Sequence, residues 1–224
     1  MSRDDSETTS TEDDRFAERR ARMVERQLRR RVIRDEHVLE AMAAVPREQF
    51  VPGDERRRAY RDGALRIAEG QTISQPWIVA CMAELLELRG DERVLEVGTG
   101  SGYAAAVLSR LCREVVTVER FESLADQARN RLAELGYDNV EVRVGDGSRG
   151  APDRAPFDGI SVTATAVGEP PEALFEQLAP GAPLVCPVRR GRRELLVRFR
   201  EGVEERFVPV RFVPLVEEEP EEAD

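Results

Sequence analysis

Lysine is absent from this 224-residue chain, and all 34 basic residues are arginine. Coding bias in a GC-rich genome and adaptation to heat or salt both produce that pattern, and composition does not separate them. Histidine occurs once, as His37 in an N-terminal helical region remote from the motifs below, which makes it a structural or solvated residue. No cluster of metal ligands accompanies it, so no metal is expected. Cys81, Cys112 and Cys186 are odd in number, widely spaced and embedded in apolar sequence. They fit small core residues, not a disulfide frame or a metal site. Aromatic residues make up 5% of the chain and no basic, aromatic-studded stripe appears, which argues against a nucleic-acid partner. No apolar run is long enough to span a bilayer, and the acidic N-terminus lacks the basic and apolar regions of a signal peptide. A soluble, cytoplasmic protein without a membrane partner is expected.

Acid, by contrast, is plentiful and collected at the ends. Met1 to Asp14 holds six acids and one arginine, and Glu217 to Asp224 holds six acids and no base. The tails therefore carry −11 of a net charge of −10, and the body between them is close to +1. Such apolar-poor runs bury too little surface to offset the entropy of ordering, so residues 1–14 and 217–224 are expected to be disordered. With 41% hydrophobic residues the chain can form one sizeable core, and residues 15–216 are expected to be a single domain.

Within that domain, residues 15–90 read as mainly helical and residues 91–216 as alternating strands and helices. Asp35 is placed as an N-cap before Val38, Leu39 and Met42, and Val45 to Pro52 forms an extended link. Pro76 suits the first turn of a helix running to Leu88. Strands are expected at Arg93–Val97, Val115–Glu119, Val140–Val144, Phe157–Val162 and Leu184–Val188. Helices are expected at Gly102–Leu111, Glu122–Leu135 and Pro171–Leu178. This rhythm predicts a mostly parallel, doubly wound α/β sheet covered on both faces. Two last strands, near Glu194–Arg200 and Arg206–Phe212, flank Glu201-Gly202 and predict a closing antiparallel hairpin.

The densest chemical signal is Val94-Leu95-Glu96-Val97-Gly98-Thr99-Gly100-Ser101-Gly102-Tyr103, an apolar strand entering a glycine-rich turn that opens a helix. Glycine permits the tight turn and the close approach of a ligand. About 20 residues on, a second strand ends at Glu119, where such folds place a carboxylate on ribose hydroxyls. The spacing G-x-G-x-G resembles class I S-adenosylmethionine-dependent methyltransferases more than dinucleotide enzymes. Gly145-Asp146-Gly147 follows the third strand and Thr163-Ala164-Thr165 the fourth. Asp146 between two glycines suits an adenine contact and also a simple turn-former, and Glu119 suits a solvated strand end as well as a ribose contact.

Upstream, Gly70-Gln71-Thr72-Ile73-Ser74-Gln75-Pro76 is either a turn and helix cap or part of a site. Together with Ala43-Ala44-Val45-Pro46-Arg47-Glu48-Gln49-Phe50-Val51, Gly145-Asp146-Gly147, Ala155-Pro156-Phe157-Asp158 and Val210-Arg211-Phe212-Val213-Pro214-Leu215, in that order, it resembles the protein-L-isoaspartate O-methyltransferase family from about Met23 to Val216. The resemblance implies a Rossmann-like class I methyltransferase fold and S-adenosylmethionine as cofactor. It implies methylation of the free α-carboxylate of L-isoaspartyl residues in damaged peptides and proteins, by an enzyme expected to act as a monomer. Ser74 matches the family's active-site serine. Thr72, Ile73, Gln75, Gly98, Thr99, Gly100, Glu119, Asp146, Gly147 and Thr163 would surround the cofactor, and Val213, Pro214 and Leu215 would bind the peptide with Ser74. Arg66, Ala68, Ser148–Ala151 and Arg189-Arg190 depart from the family pattern and bear on peptide selectivity. Two other functions share these features: a paralogue acting on a small-molecule carboxylate, and a cofactor-binding protein without turnover.

Overall fold

The structure, a computed structural model, describes residues 11–216. Its first helix, α1 (Glu12–Met23), starts inside the run expected to be a disordered tail. Thr11 and Asp14 form a capping box, with Asp14 N–H donating to Thr11 Oγ1 at 3.1 Å and Thr11 N–H to Asp14 Oδ2 at 3.0 Å. The acids Glu12, Asp13 and Asp14 also suit the positive end of the helix. The boundary drawn at Asp14 is thus corrected to Thr11; the rest of both tails lies outside the described residues. Phe16 and Met23 anchor α1 in the core.

The chain continues through a π turn (Val24–Leu28) and a 3-10 turn (Arg29–Arg31) to α2 (Glu36–Ala44). Asp35 caps α2 as its spacing predicts, accepting His37 N–H at 2.9 Å. The expected extended link contains a 3-10 turn, Arg47–Gln49, whose Arg47 and Glu48 are buried. The region read as helical also holds a short antiparallel hairpin, β1 (Leu65–Arg66) and β2 (Thr72–Ile73). Glu69 at φ +56° and Gly70 at φ +66° make its reversal. Helix α3 (Pro76–Leu85) follows directly, with Pro76 in its first turn.

From β3 (Arg93–Val97) onward the expected alternation holds. The elements are α4 (Tyr103–Leu108), β4 (Glu114–Glu119), α5 (Glu122–Glu134), β5 (Val140–Val144), β6 (Gly159–Val162), β7 (Ala166–Val167), α6 (Glu172–Phe175), β8 (Leu184–Arg190), β9 (Arg193–Arg200) and β10 (Val203–Pro209). Strand order is β10-β9-β8-β6-β3-β4-β5, with β7 also on β8. Pairs from β8 to β5 are parallel, whereas β8–β9 and β9–β10 are antiparallel. The antiparallel part is therefore a three-stranded meander instead of a lone hairpin.

Successive strand residues point to opposite faces. Val94 and Val115 join the core beneath α2, α3 and α4. Leu95 and Val116 join a second core with Phe157, Leu174 and Cys186. All three cysteines are free and buried, which explains their apolar settings. The chain runs outward from β3 to β4 and β5, then returns to the other side of β3 as β6. The crevice of an open α/β sheet lies at such a reversal, off the C-terminal strand ends.

The last expected strand is shifted. Residues 206–212 do not run on as one strand, because β10 ends at Pro209 and the chain departs toward those strand ends. Glu194 holds the departing segment: its carbonyl accepts Val210 N–H at 3.1 Å and its carboxylate accepts Phe212 N–H at 2.7 Å.

Candidate active site

The C-terminal strand ends enclose a cavity of about 250 Å³. One wall comes from the turn between β3 and α4. Gly98, Gly100 and Gly102 all have positive φ, at 96°, 52° and 86°, a conformation that side chains rarely adopt. Gly98 also allows contact across the switch point: a Cβ there would sit 2.3 Å from Thr163 Oγ1. The Thr163 hydroxyl, with a single proton, lies 2.7 Å from Gly98 O and 2.9 Å from Val97 O, and its N–H donates to Val97 O at 2.8 Å.

Glu119 terminates β4 and is only 5% exposed. Its carboxylate accepts Gly100 N–H at 2.8 Å and Phe121 N–H at 3.1 Å, one on each oxygen. Each oxygen keeps lone-pair capacity for a further donor, as a ribose contact needs. Beneath the turn, Thr117 Oγ1 donates to Glu96 Oε2 at 2.6 Å and so accepts from Thr99 Oγ1 at 2.7 Å. Glu96 is fully buried and its Oε1 has no partner. Burial pushes its carboxyl up to about 8, opposed by the Thr117 hydrogen bond and assisted by the charge of Glu119.

The opposite wall comes from Gln71, Thr72, Ile73 and Ser74 of the hairpin and from Phe212 to Val216. Ser74 lies between β2 and α3, and its hydroxyl forms no hydrogen bond among the described residues. The hairpin tip is fastened across the cavity by Ser123 Oγ, which donates to Glu69 Oε1 at 2.6 Å. The 212–216 segment lies along β6's continuation, where Thr165 N–H donates to Val213 O at 2.8 Å and Leu215 N–H to Thr165 O at 2.9 Å.

Of the residues singled out in the sequence, Thr72, Ile73, Ser74, Gly98, Thr99, Gly100, Glu119, Gly147, Thr163, Val213, Pro214 and Leu215 line this one cavity. Gln75 does not. It occupies the N-cap position of α3, where its carbonyl accepts Ile78 N–H and Val79 N–H, and its side chain is drawn away to Asp62. Asp146 also stays off the wall: its carboxylate caps its own turn, accepting Ser148 N–H at 2.9 Å and Ser148 Oγ at 2.7 Å. Gly147 reaches the cavity instead, and a Cβ there would lie 2.5 Å from Val97 Cγ1. Arg190 is occupied by Glu204 at 2.7 Å and Glu169 at 2.6 Å. Sequence reasoning missed Tyr103, Arg120 and Phe121, which also line the cavity; Phe212 lies there too, within the Val210 to Leu215 motif that the resemblance assigns to the peptide. Position relative to the strand-end acid could have found Phe121.

A switch-point cavity bounded by a G-x-G-x-G turn and a strand-end acid fits a Rossmann-like, class I methyltransferase. The profile of the Protein-L-isoaspartate(D-aspartate) O-methyltransferase (PCMT) family matches residues 18–220. A protein-L-isoaspartate O-methyltransferase of Pelotomaculum thermopropionicum is 51% identical over 213 residues, 93% of each chain. One from Nitrobacter winogradskyi is 53% identical over 197 residues, 86% of this chain and 90% of its own. Among solved structures, a protein-L-isoaspartate O-methyltransferase superposes with a TM-score of 0.78 at 31% identity, covering 87% of this chain and 65% of that one. A Plasmodium falciparum β-aspartate methyltransferase in complex with S-adenosyl-L-homocysteine superposes with a TM-score of 0.76 at 25% identity, covering 88% and 98%. The chain belongs to the protein-L-isoaspartate O-methyltransferase family.

Proposed function

We propose that this protein transfers a methyl group from S-adenosylmethionine to the free α-carboxylate of L-isoaspartyl residues in damaged peptides and proteins. The observation that carries the reading is the Ser74 hydroxyl, without a partner among the described residues, in the same cavity as the Gly98–Gly100 turn and Glu119. The cavity fits the cofactor: Gly98 and Gly147 let the walls pack tightly on Thr163 and Val97, where a Cβ would clash, and Glu119 offers acceptors to hydroxyls. When bound, S-adenosylmethionine supplies an electrophilic methyl group on a sulfonium sulfur. Glu119 would hold the ribose end, Gly147 and Phe121 would border the adenine end, and Thr163 would lie toward the reacting end.

The nucleophile is a carboxylate with a pKa near 4, already ionised at neutral pH, so no base has to remove a proton. What remains is placement and dehydration. Ser74 Oγ would donate to one carboxylate oxygen and leave the other free to meet the methyl group. Ile73, Val213, Pro214 and Leu215 exclude water that would stabilise the anion. The carboxylate oxygen would take the methyl group as the C–S bond breaks, leaving a neutral thioether. The product ester then closes on its neighbouring amide to a succinimide, with loss of methanol and without the enzyme. Hydrolysis returns part of it to aspartate.

The same reading takes the protein as a cytoplasmic monomer that acts on peptides and not on nucleic acid. No helix among the described residues is long and apolar enough to cross a membrane. The test is methyl label from S-adenosylmethionine offered an isoaspartyl peptide and its aspartyl twin. Label should enter the isoaspartyl peptide alone; equal labelling, or label only on small carboxylic acids, overturns the reading.

A further inference from the structure

Arg47 is the largest side chain of the described residues with no exposed surface. Among those residues it forms no ion pair with a carboxylate, since its neighbour Glu48 is taken by Tyr60 and Arg20. Its Nε donates to Ala59 O at 2.7 Å and its Nη2 to Ser74 O at 2.8 Å. The guanidinium carbon lies 4.7 Å from the centroid of the Tyr103 ring, and Nη1 has no partner. A buried charge is costly unless it is paired. Burial lowers the Arg47 pKa from its ordinary value, against the opposing influence of Tyr103 and Tyr60, yet a guanidinium keeps its proton inside proteins. This cation stays in place without a counter-ion.

Its position suggests what the counter-ion is. The guanidinium touches Ser74 on one side and Tyr103 on the other, and both residues line the cavity. It therefore lies one layer of side chain behind the wall, in a medium where charges act strongly at short range. The acceptor substrate is an anion that must lose its water. We propose that Arg47 is a positioning residue for the methyl-acceptor carboxylate, tying the Ser74 peptide to Ala59 with its planar fork while it stacks on Tyr103 of helix α4, and attracting the substrate anion with its charge. The inference rests on the isoaspartyl reading only in the identity of the carboxylate.

The two parts act on different kinetic constants. The carboxylate is charged in the ground state and loses charge as the ester forms, so attraction to Arg47 appears mainly in KM. The fork fixes Ser74, whose contact orients the reacting oxygen, so its loss appears mainly in kcat. Arg47→Lys keeps the charge without the fork; Arg47→Gln keeps one donor without the charge. The lysine variant should hold the peptide KM within about threefold of wild type while kcat falls about tenfold or more. The glutamine variant should raise the peptide KM about tenfold or more, the size expected of a lost charge contact. Both should bind S-adenosylmethionine within about threefold of wild type, because neither touches it, whereas a merely structural role would weaken cofactor and peptide together. Equal peptide KM values for the two variants, or a raised KM in a folded lysine variant, overturn the proposal.

The wild type supplies a second measurement should the variants not fold. A peptide carrying the α-carboxamide in place of the carboxylate should inhibit at least about tenfold more weakly than the isoaspartyl peptide binds. Equal affinity means that no buried cation anchors the anion. Failure of the isoaspartyl reading looks different: wild type would leave isoaspartyl peptide unlabelled, and the variants would then be compared on whichever carboxylate it does label.

Discussion

The cavity wall formed by Gly98–Ser101 and Glu119 is built within two adjacent strands, whereas the wall formed by Gln71–Ser74 and Phe212–Val216 depends on contacts from distant parts of the chain. In the first, Glu119 holds Gly100 across the β3–β4 pair and Thr117 holds Thr99. In the second, Arg47 holds Ser74 across 27 residues and Ser123 holds Glu69 across 54. On the proposed function the difference separates two tasks. The local wall would present fixed backbone to a cofactor of constant shape. The assembled wall, with Ser74 and the 212–216 segment, would meet substrates of varied sequence.

The sharpest way to break this division is to damage the local wall. Gly98→Ala adds a Cβ that meets Thr163 Oγ1 at 2.3 Å, at a φ of +96° that alanine rarely takes. The backbone strain alone is on the order of 1–3 kcal/mol, and the collision adds to it. Calorimetry should show S-adenosylmethionine affinity reduced by about 100-fold or more, equivalent to about 2.7 kcal/mol. A folded variant with wild-type affinity would mean that the cofactor does not sit against this turn.

What could be read in the sequence follows the same line. The glycine turn, Glu119, the strands from β3 to β8 and the Asp35 cap depend on spacing within a few residues or on one strand-to-strand step, and periodicity records such relations. The reach of Phe212 to the cavity depends on Glu194, and Gln75 turns away because Asp62 attracts it. These are pairings between segments that no local pattern encodes. Ser74 was placed by resemblance, not by spacing. The start of α1 is a local signal overlooked: Thr11 and Asp14 form a capping box, but the acidic run hid it.

Ser74→Ala tests the assembled wall. It removes one positioned hydrogen bond to a charged group, so kcat should fall about 10- to 1000-fold while cofactor affinity stays near wild type. Because the acceptor is already ionised, the wild-type rate should be flat from about pH 6 to 7. A steep rise with pH that vanishes in Ser74→Ala would make proton removal part of the reaction and exclude a free carboxylate as the nucleophile.

Glu96 sharpens the comparison from beneath the local wall. Its carboxyl is raised from 4.5 to about 8, mainly by burial. Between those values the unfolded chain has lost a proton that the folded protein keeps. Stability from this group is therefore complete below pH 4.5 and falls as pH rises through about 8, by at most about 1.4 kcal/mol per pH unit. Glu96→Gln should flatten that slope, as urea titrations at several pH values would reveal. The same slope in both proteins would show that Glu96 is ionised in the fold.

The smallest effect belongs at the N-terminus, remote from both walls. Removing residues 1–10 deletes sequence too poor in apolar side chains to contribute to the core, and the melting temperature should not change. Removing residues 1–14 also deletes Thr11 and Asp14, whose reciprocal hydrogen bonds at 3.1 and 3.0 Å satisfy the first N–H groups of α1. Loss of such a cap costs about 0.5–2 kcal/mol, a fall of roughly 1–8 °C for a protein of this length. Because Phe16 and Met23 still bury α1, the helix should fray without leaving the core, and methyl transfer should be retained. Equal melting temperatures for the two truncations would show that the capping box contributes nothing. A fall in kcat with the longer deletion would show that α1 supports the Arg47–Ser74 wall through Arg20 and Glu48, which lie 3.7 Å apart.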